Sequence, residues 1–412
     1  MAAPLAELLA AAQSQLWQTK LAGLAVYTLI SAFALRAGSG VVSAPARRLA
    51  LAMLFVAGNA AVPLLFHRKR EGVSVAFSAF ILTWLASFKA LALAFGRGPL
   101  AQQRWAPLQF WALYSLPLVP AAPPAAALLR RPSQQQLDGP GEPAHLLLRW
   151  LLKAAVTAGV VFGLLLDVPP FARTCLYVLG IYSMLGVVMD GPAACLLRPL
   201  RLDLAPHFLP PWESASLAEF WGTRWNQAAG SALRTTIYEP IVEGSLVDWQ
   251  QLAALTGANA GGGAAKVVRG RRRSARLAAA AAKEAARGGG LAGARLAGMA
   301  ASFLASGAVH ELIFWYVHGH LTAHLAWLFF FLGQVPLILG ERWLLAQLKA
   351  AGVALPSLAR KALTLGVLLA TSHHLFFQPA EAAGLPALFA ASMRASYAAL
   401  AALPLRLLGS TV

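Results

Sequence analysis

Nine apolar stretches recur along the chain, near 21–36, 49–66, 73–95, 146–166, 171–197, 291–317, 320–345, 361–378 and 385–408. Crossing a ~30 Å hydrocarbon layer takes an α-helix of roughly 20 apolar residues, and most of these stretches come close to that length or exceed it. Lipid offers backbone amides no partner, so an unbroken apolar run of this length must close its own hydrogen bonds as helix. Of 412 residues, 58% are hydrophobic and 12% charged, about half the charge of a soluble domain. The expected fold is therefore all-α and polytopic, a single multi-span membrane domain over 1–412 with about eight or nine transmembrane helices.

Two stretches need separate treatment. Prolines interrupt 108–129 ("LQFWALYSLPLVPAAPPAAALL") too often for a clean span, so it is expected to lie in the interface or to re-enter the membrane. The 21–36 stretch follows Lys20 and ends in Ala32-Phe33-Ala34, a small-x-small pattern of the kind that signal cleavage uses. Further spans follow at once, so it is read as a retained first span.

A net charge of +18 would suggest nucleic acid in a soluble protein. In a membrane protein it fits basic loops on the cytosolic side meeting anionic headgroups, which makes membrane lipids the expected partners and excludes nucleic acid. With nine spans, the loops at 36–48, 97–149, 198–290 and 342–361 carry most of the Lys and Arg, against Lys20, Arg68, Lys69, Arg70 and Arg173 on the other side. That asymmetry makes 198–254 a cytosolic loop, followed by a basic Ala/Gly-rich insertion at 255–290 with eight basic residues against Glu284. The insertion is too poor in large apolar residues to order itself, so it reads as solvated and disordered. No internal repeat is visible. Cys175 and Cys195, the two cysteines of the chain, are too few for a disulfide framework and read as packing residues.

Ionisable side chains inside spans cost roughly 2.5–3.5 kcal/mol each on insertion scales, so each needs a reason. Lys89, Lys153, Asp190, His310, Glu311 and Arg394 are of this kind. Snorkelling accounts for Lys153 and Arg394, but not for His310, which lies deep in its stretch. A lone neutral histidine bonded to a neighbouring helix would be the plain reading. Against it stand Ser306-Gly307, small enough to admit a close neighbour, the adjoining Glu311, and a second polar, aromatic knot at 216–227, "SLAEFWGTRWNQ". Together these point to a reaction chamber. Metal is an outsider: "HELIFWYVH" breaks the H-E-x-x-H zinc pattern at Phe314, and His318, His320 and His324 lack a carboxylate or cysteine partner. His373-His374 reads mainly as packing. No nucleophile elbow, P-loop or dinucleotide fingerprint is present. What remains is chemistry that runs on one base, hydrogen-bond donors and exclusion of water. A transporter or lipid scaffold with Lys89, Asp190 and His310 as pathway groups is the rival from another class.

The stretch "SLAEFWGTRWNQAAGSALRTTIYEPI" (216–241) resembles the signature of plant-type wax synthases, long-chain-alcohol O-fatty-acyltransferases of the membrane-bound O-acyltransferase superfamily. The family form S-L-x-D-F-W-G-R-R-W-N is met with Glu219 for Asp and Thr223 for the first Arg, and R-x-x-x-Y-x-P is met by Arg234, Tyr238 and Pro240. "FLASGAVHELIFWY" (303–316) is similar to the segment that carries the superfamily's histidine. Weaker likeness at 87–100 and 363–379 extends the resemblance from about 73 to 380. It implies an intramembrane tunnel, no bound cofactor, and acyl-CoA as co-substrate with a long-chain fatty alcohol as acceptor, a sterol, diacylglycerol or smaller alcohol being the alternatives. It also implies His310 as catalytic base with Asn226 as its partner, either orienting substrate or donating to the oxyanion. Trp221, Trp225 and Trp315 would wall the chamber unless they form an interfacial belt. Arg224 and Arg234 would meet CoA phosphates, with headgroup contact the plainer reading for Arg234. Tyr238 and Glu311 complete the expected substrate-binding set, and the endoplasmic reticulum is the expected membrane.

Overall fold

Alanine, leucine and phenylalanine fill the long runs, and each run folds as helix. The computed structural model describes residues 2–42, 44–121, 143–256 and 290–392. The first part is α1 (Ala2–Ser14), α2 (Trp17–Val41), α3 (Pro45–Ala61), α4 (Gly72–Ala94) and α5 (Pro107–Ser115). An antiparallel pair follows, α6 (Pro143–Gly163) and α7 (Pro170–Leu196), packed along each other. Short elements come next: α8 (Leu217–Glu219), α9 (Gln227–Leu233) and α10 (Trp249–Thr256). The last part is α11 (Gly290–His318), α12 (Ala326–Ala350) and α13 (Ser357–Ser372).

Seven of the described helices are long and apolar enough to cross a membrane: Trp17–Val41, Pro45–Leu65, Gly72–Ala94, Leu146–Gly163, Pro170–Leu196, Gly290–His318 and Ala323–Ala350. They coincide with the first seven expected spans. The expected 361–378 span falls on α13, whose 16-residue α-helical part continues through a π-helical turn, His373–Phe377, into Gln378–Ala382. The expected 385–408 span and Arg394 lie largely outside the described residues, as does 257–289 of the basic insertion. Leu54, Phe162 and Leu165 are 65%, 65% and 74% exposed, apolar surface of the kind that meets lipid in or beside a helix of membrane-spanning length. The chain is an integral, multi-pass, all-helical membrane protein.

The best-packed core lies in the amino-terminal half, where Val75, Ala79, Leu82 and Ala90 of α4 are buried against α3 and α5. Lys89 belongs to this core. Its ammonium donates to the carbonyls of Leu113 and Leu116, each at 2.6 Å, and of Leu118 at 3.4 Å. Those carbonyls end α5 without helical partners, so the buried cation satisfies them. Arg48 does the same for α2 and α4, donating to the carbonyls of Ser39, Leu93 and Ala94.

Two expectations are corrected. Lys153 does not snorkel: its ammonium turns inward and meets Asp190 Oδ2 at 2.6 Å. A carboxylate on the facing helix gives it a partner in the span, which the interface would give only through water. Cys175 and Cys195 are exposed and pack no core. The 108–121 part of the proline-bearing stretch gives a nine-residue helix, α5, with Pro107 at its tolerated first position, too short to cross a membrane, and 122–129 lies outside the described residues.

Candidate active site

α4, α6, α7 and the 211–238 segment, together with α11, α12 and α13, line a partly open cavity of ≈ 2130 Å³. The four π-helical stretches of the described chain, Ala79–Ala86, Phe220–Arg224, Arg234–Tyr238 and His373–Phe377, all contribute side chains to its wall. A π-turn carries an extra residue per turn, and such widened turns concentrate at functional sites. Here they bring Trp84, Trp221, Tyr238 and Phe376 to one space.

His310 lies in this wall, in the middle of α11. Its Nδ1 is 2.7 Å from the carbonyl oxygen of Ser306, one turn earlier. A carbonyl can only accept, so the proton sits on Nδ1 and Nε2 keeps its lone pair. The ring stacks on Phe331 with centroids 4.1 Å apart and meets Trp84 edge-on at 5.2 Å. Trp327 and Phe376 close the box at 6.2 and 6.1 Å. This setting fixes the imidazole plane among apolar rings.

Asn226 also lines the cavity. It adopts a left-handed backbone, φ 41° and ψ 72°, which asparagine tolerates better than other non-glycine residues. Its Oδ1 accepts the amide of Ala229 at 3.1 Å, capping α9. With the oxygen engaged, the side-chain NH₂ makes no hydrogen bond among the described residues and remains a free donor.

The two polar knots meet through aromatic contacts. Trp225 stacks on Phe220 at 5.3 Å, Phe220 meets Trp221 at 5.0 Å, and Trp221 meets Phe331 at 5.7 Å, the ring that covers His310. Trp221 Nε1 donates to Gln334 Oε1 at 3.0 Å, which locks the knot onto α12.

Of the other expected site residues, Arg234 and Tyr238 line the cavity with Trp221 and Trp225, and Arg295 and Arg342 add two further cations to its wall. Three do not reach it. Arg224 turns back to Glu219, 2.7 Å away, and to the Pro210 carbonyl, so it shapes the knot itself. Trp315 faces Arg68, whose guanidinium lies 5.2 Å over its ring. Glu311, one residue from His310 and thus about 100° round the helix, points away and accepts from Thr322 and from the first amides of α12. His373 bonds Thr174 at 2.6 Å outside the wall. Among the described residues no group of His, Cys, Asp or Glu stands together as a metal site.

Trp84, Trp327, Phe331 and Phe376 were not legible from sequence as site residues. Each sits in an apolar run where an aromatic residue is indistinguishable from core or lipid-facing packing.

Outside the membrane, burial and then the neighbouring Glu243 carboxylate push the Glu239 carboxyl above its ordinary range. Glu213 is held below it by the hydrogen bond from Lys361, which ties the knot to α13.

A histidine and an asparagine thus face one large apolar cavity of a helical membrane protein. No family model matches the chain. It is 27% identical over 323 residues to "Probable long-chain-alcohol O-fatty-acyltransferase 8" of Arabidopsis thaliana, covering 74% of each chain. It is also 27% identical to acyl-CoA–sterol O-acyltransferase 1 of the same plant, over 62% of this chain and 61% of that protein. The long-chain-alcohol O-fatty-acyltransferase of Simmondsia chinensis is 28% identical over 166 residues, 40% of this chain and 46% of that one. These relatives, long-chain-alcohol O-fatty-acyltransferases and a sterol O-acyltransferase, are what the chain is similar to.

Proposed function

We propose that the protein transfers the acyl group of acyl-CoA to a long-chain fatty alcohol, forming a wax ester, with His310 as general base. The observation that carries this reading is the imidazole with its proton committed to the Ser306 carbonyl and its Nε2 left in the wall of a ≈ 2130 Å³ apolar cavity. That volume is about twice the upper end of ordinary ligand sites, room for two long chains at once.

Nε2 takes the hydroxyl proton of the alcohol as its oxygen attacks the thioester carbonyl. A positioned base contributes about 10²–10⁴-fold to such a step. The Asn226 NH₂ donates to the oxyanion of the tetrahedral intermediate, its own oxygen being held by Ala229. Collapse expels CoA thiolate, which receives the proton from His310. The apolar wall suppresses hydrolysis by keeping water from the thioester. Arg234, Arg295 and Arg342 suit the phosphates of CoA by bidentate hydrogen bonding. This reading sets 198–254 on the cytosolic side, where acyl-CoA is supplied, and the protein in the endoplasmic reticulum.

A sterol acceptor is the second reading, favoured by the equal identity to a sterol acyltransferase. Membranes from a host without neutral-lipid acyltransferases, given labelled palmitoyl-CoA with hexadecanol or a sterol, separate the two. Label in wax ester that vanishes in His310→Ala and falls in Asn226→Asp supports the proposal. Asn226→Asp is the informative variant, since it keeps the cap and removes the donor. Label only in sterol ester transfers the reaction to that acceptor, and no ester from either sinks the enzyme reading.

A further inference from the structure

Three ionisable side chains, Asp190 and His207 buried and Lys153 partly so, lie beside the cavity without entering its wall. Asp190 of α7 accepts from Lys153 Nζ at 2.6 Å and from His207 Nδ1 at 2.8 Å. Asp190 is 4% exposed and His207 2%. The Lys153 ammonium also lies 5.2 Å from the Tyr182 ring centroid and 5.4 Å from that of Phe208. Charges held inside spans are expensive, and a buried ion pair is weak evidence of stabilisation by itself. His207 Nε2 is buried with no partner among the described residues, so the imidazole has no outlet to substrate. The group acts on something other than the reacting atoms.

The backbone beside His207 shows what that is. The His207 carbonyl accepts the amide of Gln227 at 2.8 Å, and the Leu209 amide donates to the Arg224 carbonyl at 3.0 Å. These two bonds clasp the chain on either side of Trp225 and Asn226. Phe208, between them, meets the Trp225 ring edge-on at 5.2 Å. Asn226 needs such support, because its left-handed backbone is a conformation that persists only where its surroundings impose it.

We propose that Lys153, Asp190 and His207 form a positioning clamp, anchored in the spans, that sets the Asn226 amide in the cavity. The charged pair on α6 and α7 fixes the His207 ring, the ring fixes the 207–209 segment, and that segment holds the turn. The clamp rests on the functional reading above for its effect on rate, but not for its effect on the turn.

The test uses the full-length protein in lipid nanodiscs, with His207→Leu, His207→Asn, Asn226→Asp and the double variant His207→Leu/Asn226→Asp. The asparagine side-chain nitrogen replaces Nδ1 as donor to Asp190. Misplacing a catalytic group by an ångström costs about 10²-fold, so His207→Leu is expected to lower kcat by about 10- to 100-fold with KM for palmitoyl-CoA little changed. His207→Asn restores most of the loss. In the Asn226→Asp background His207→Leu adds little, because both changes disable one unit. Hydrogen exchange at 221–229 rises in His207→Leu while that of 299–317 stays as in wild type. An equal kcat penalty in both backgrounds, or no rescue by His207→Asn in protein that remains folded, overturns the clamp. Unchanged exchange at 221–229 overturns it whatever the activity. A wild type that forms no ester removes the functional reading instead, and the exchange arm still decides the clamp.

Discussion

Glu311 Oε1 accepts the backbone amide of Trp327 at 3.1 Å, and the Trp327 indole stands edge-on to His310. The carboxylate therefore holds the start of α12, where the helix dipole favours negative charge, and through it one wall of the box around the imidazole. Adjacent in sequence, His310 and Glu311 divide their work between two faces of α11. Glu311→Gln keeps the shape and loses the charge-assisted bonds, at a cost of about 1.5–3 kcal/mol. Thermal unfolding in detergent should show a lower Tm, and kcat should fall without a matching rise in KM. An unchanged Tm would mean that these bonds contribute nothing net.

Gly307 sets how closely α11 and α12 approach. A Cβ built there would lie 2.9 Å from Leu328 Cα and 3.0 Å from its carbonyl oxygen, backbone that cannot move aside cheaply. Gly307→Ala should cost about 1–3 kcal/mol through overpacking and lower activity by shifting Phe331 from His310. Gly333 on α12 has open space at the same position, so Gly333→Ala should be neutral or gain about 0.5–1 kcal/mol. Comparing the two Tm values checks packing against backbone entropy.

The raised Glu239 carboxyl gives a pH dependence of definite sign. A group that binds its proton more tightly when folded contributes stability while protonated, and that contribution is lost as pH rises through its folded pKa. Burial is the main cause and Glu243 the second. Glu239→Gln should therefore flatten the decline in stability above the ordinary carboxylate range, measured as Tm against pH. A profile identical to wild type would show that the carboxylate is solvated after all.

The spans were legible because lipid leaves the backbone one solution, so length and apolarity alone fix element type. That His310 and Asn226 would face a common space was legible from the two knots in an otherwise apolar chain. Other site features were not. Arg224 and Glu311 have the right chemistry and neighbours, yet the direction each side chain takes depends on helix rotation and on partners at Glu219 and Thr322. The aromatic box draws on three separate elements, α4, α12 and the π-helical turn after α13, and nothing local distinguishes Trp84 or Phe331 from packing. Lys153 was misread because snorkelling is decided by what faces it, and Asp190 lies 37 positions away in sequence.

The Trp221–Gln334 bond offers the sharpest test of how the knot is held. Gln334 is fully buried, its Oε1 accepting from Trp221 and its Nε2 donating to the Phe330 carbonyl at 3.1 Å. Trp221→Phe keeps an aromatic ring but strands the Gln334 oxygen in an apolar wall, and an orphaned buried acceptor costs about 1–3 kcal/mol. Replacing both partners by apolar groups removes the orphan. Trp221→Phe/Gln334→Leu should therefore be more stable than Trp221→Phe alone, and a double-mutant cycle of Tm should report coupling. Activity need not follow, because the smaller ring still widens the space beside Phe331. Additive losses would show that Trp221 is held by its ring contacts with Phe303 and Phe331 and that the hydrogen bond only sets its orientation.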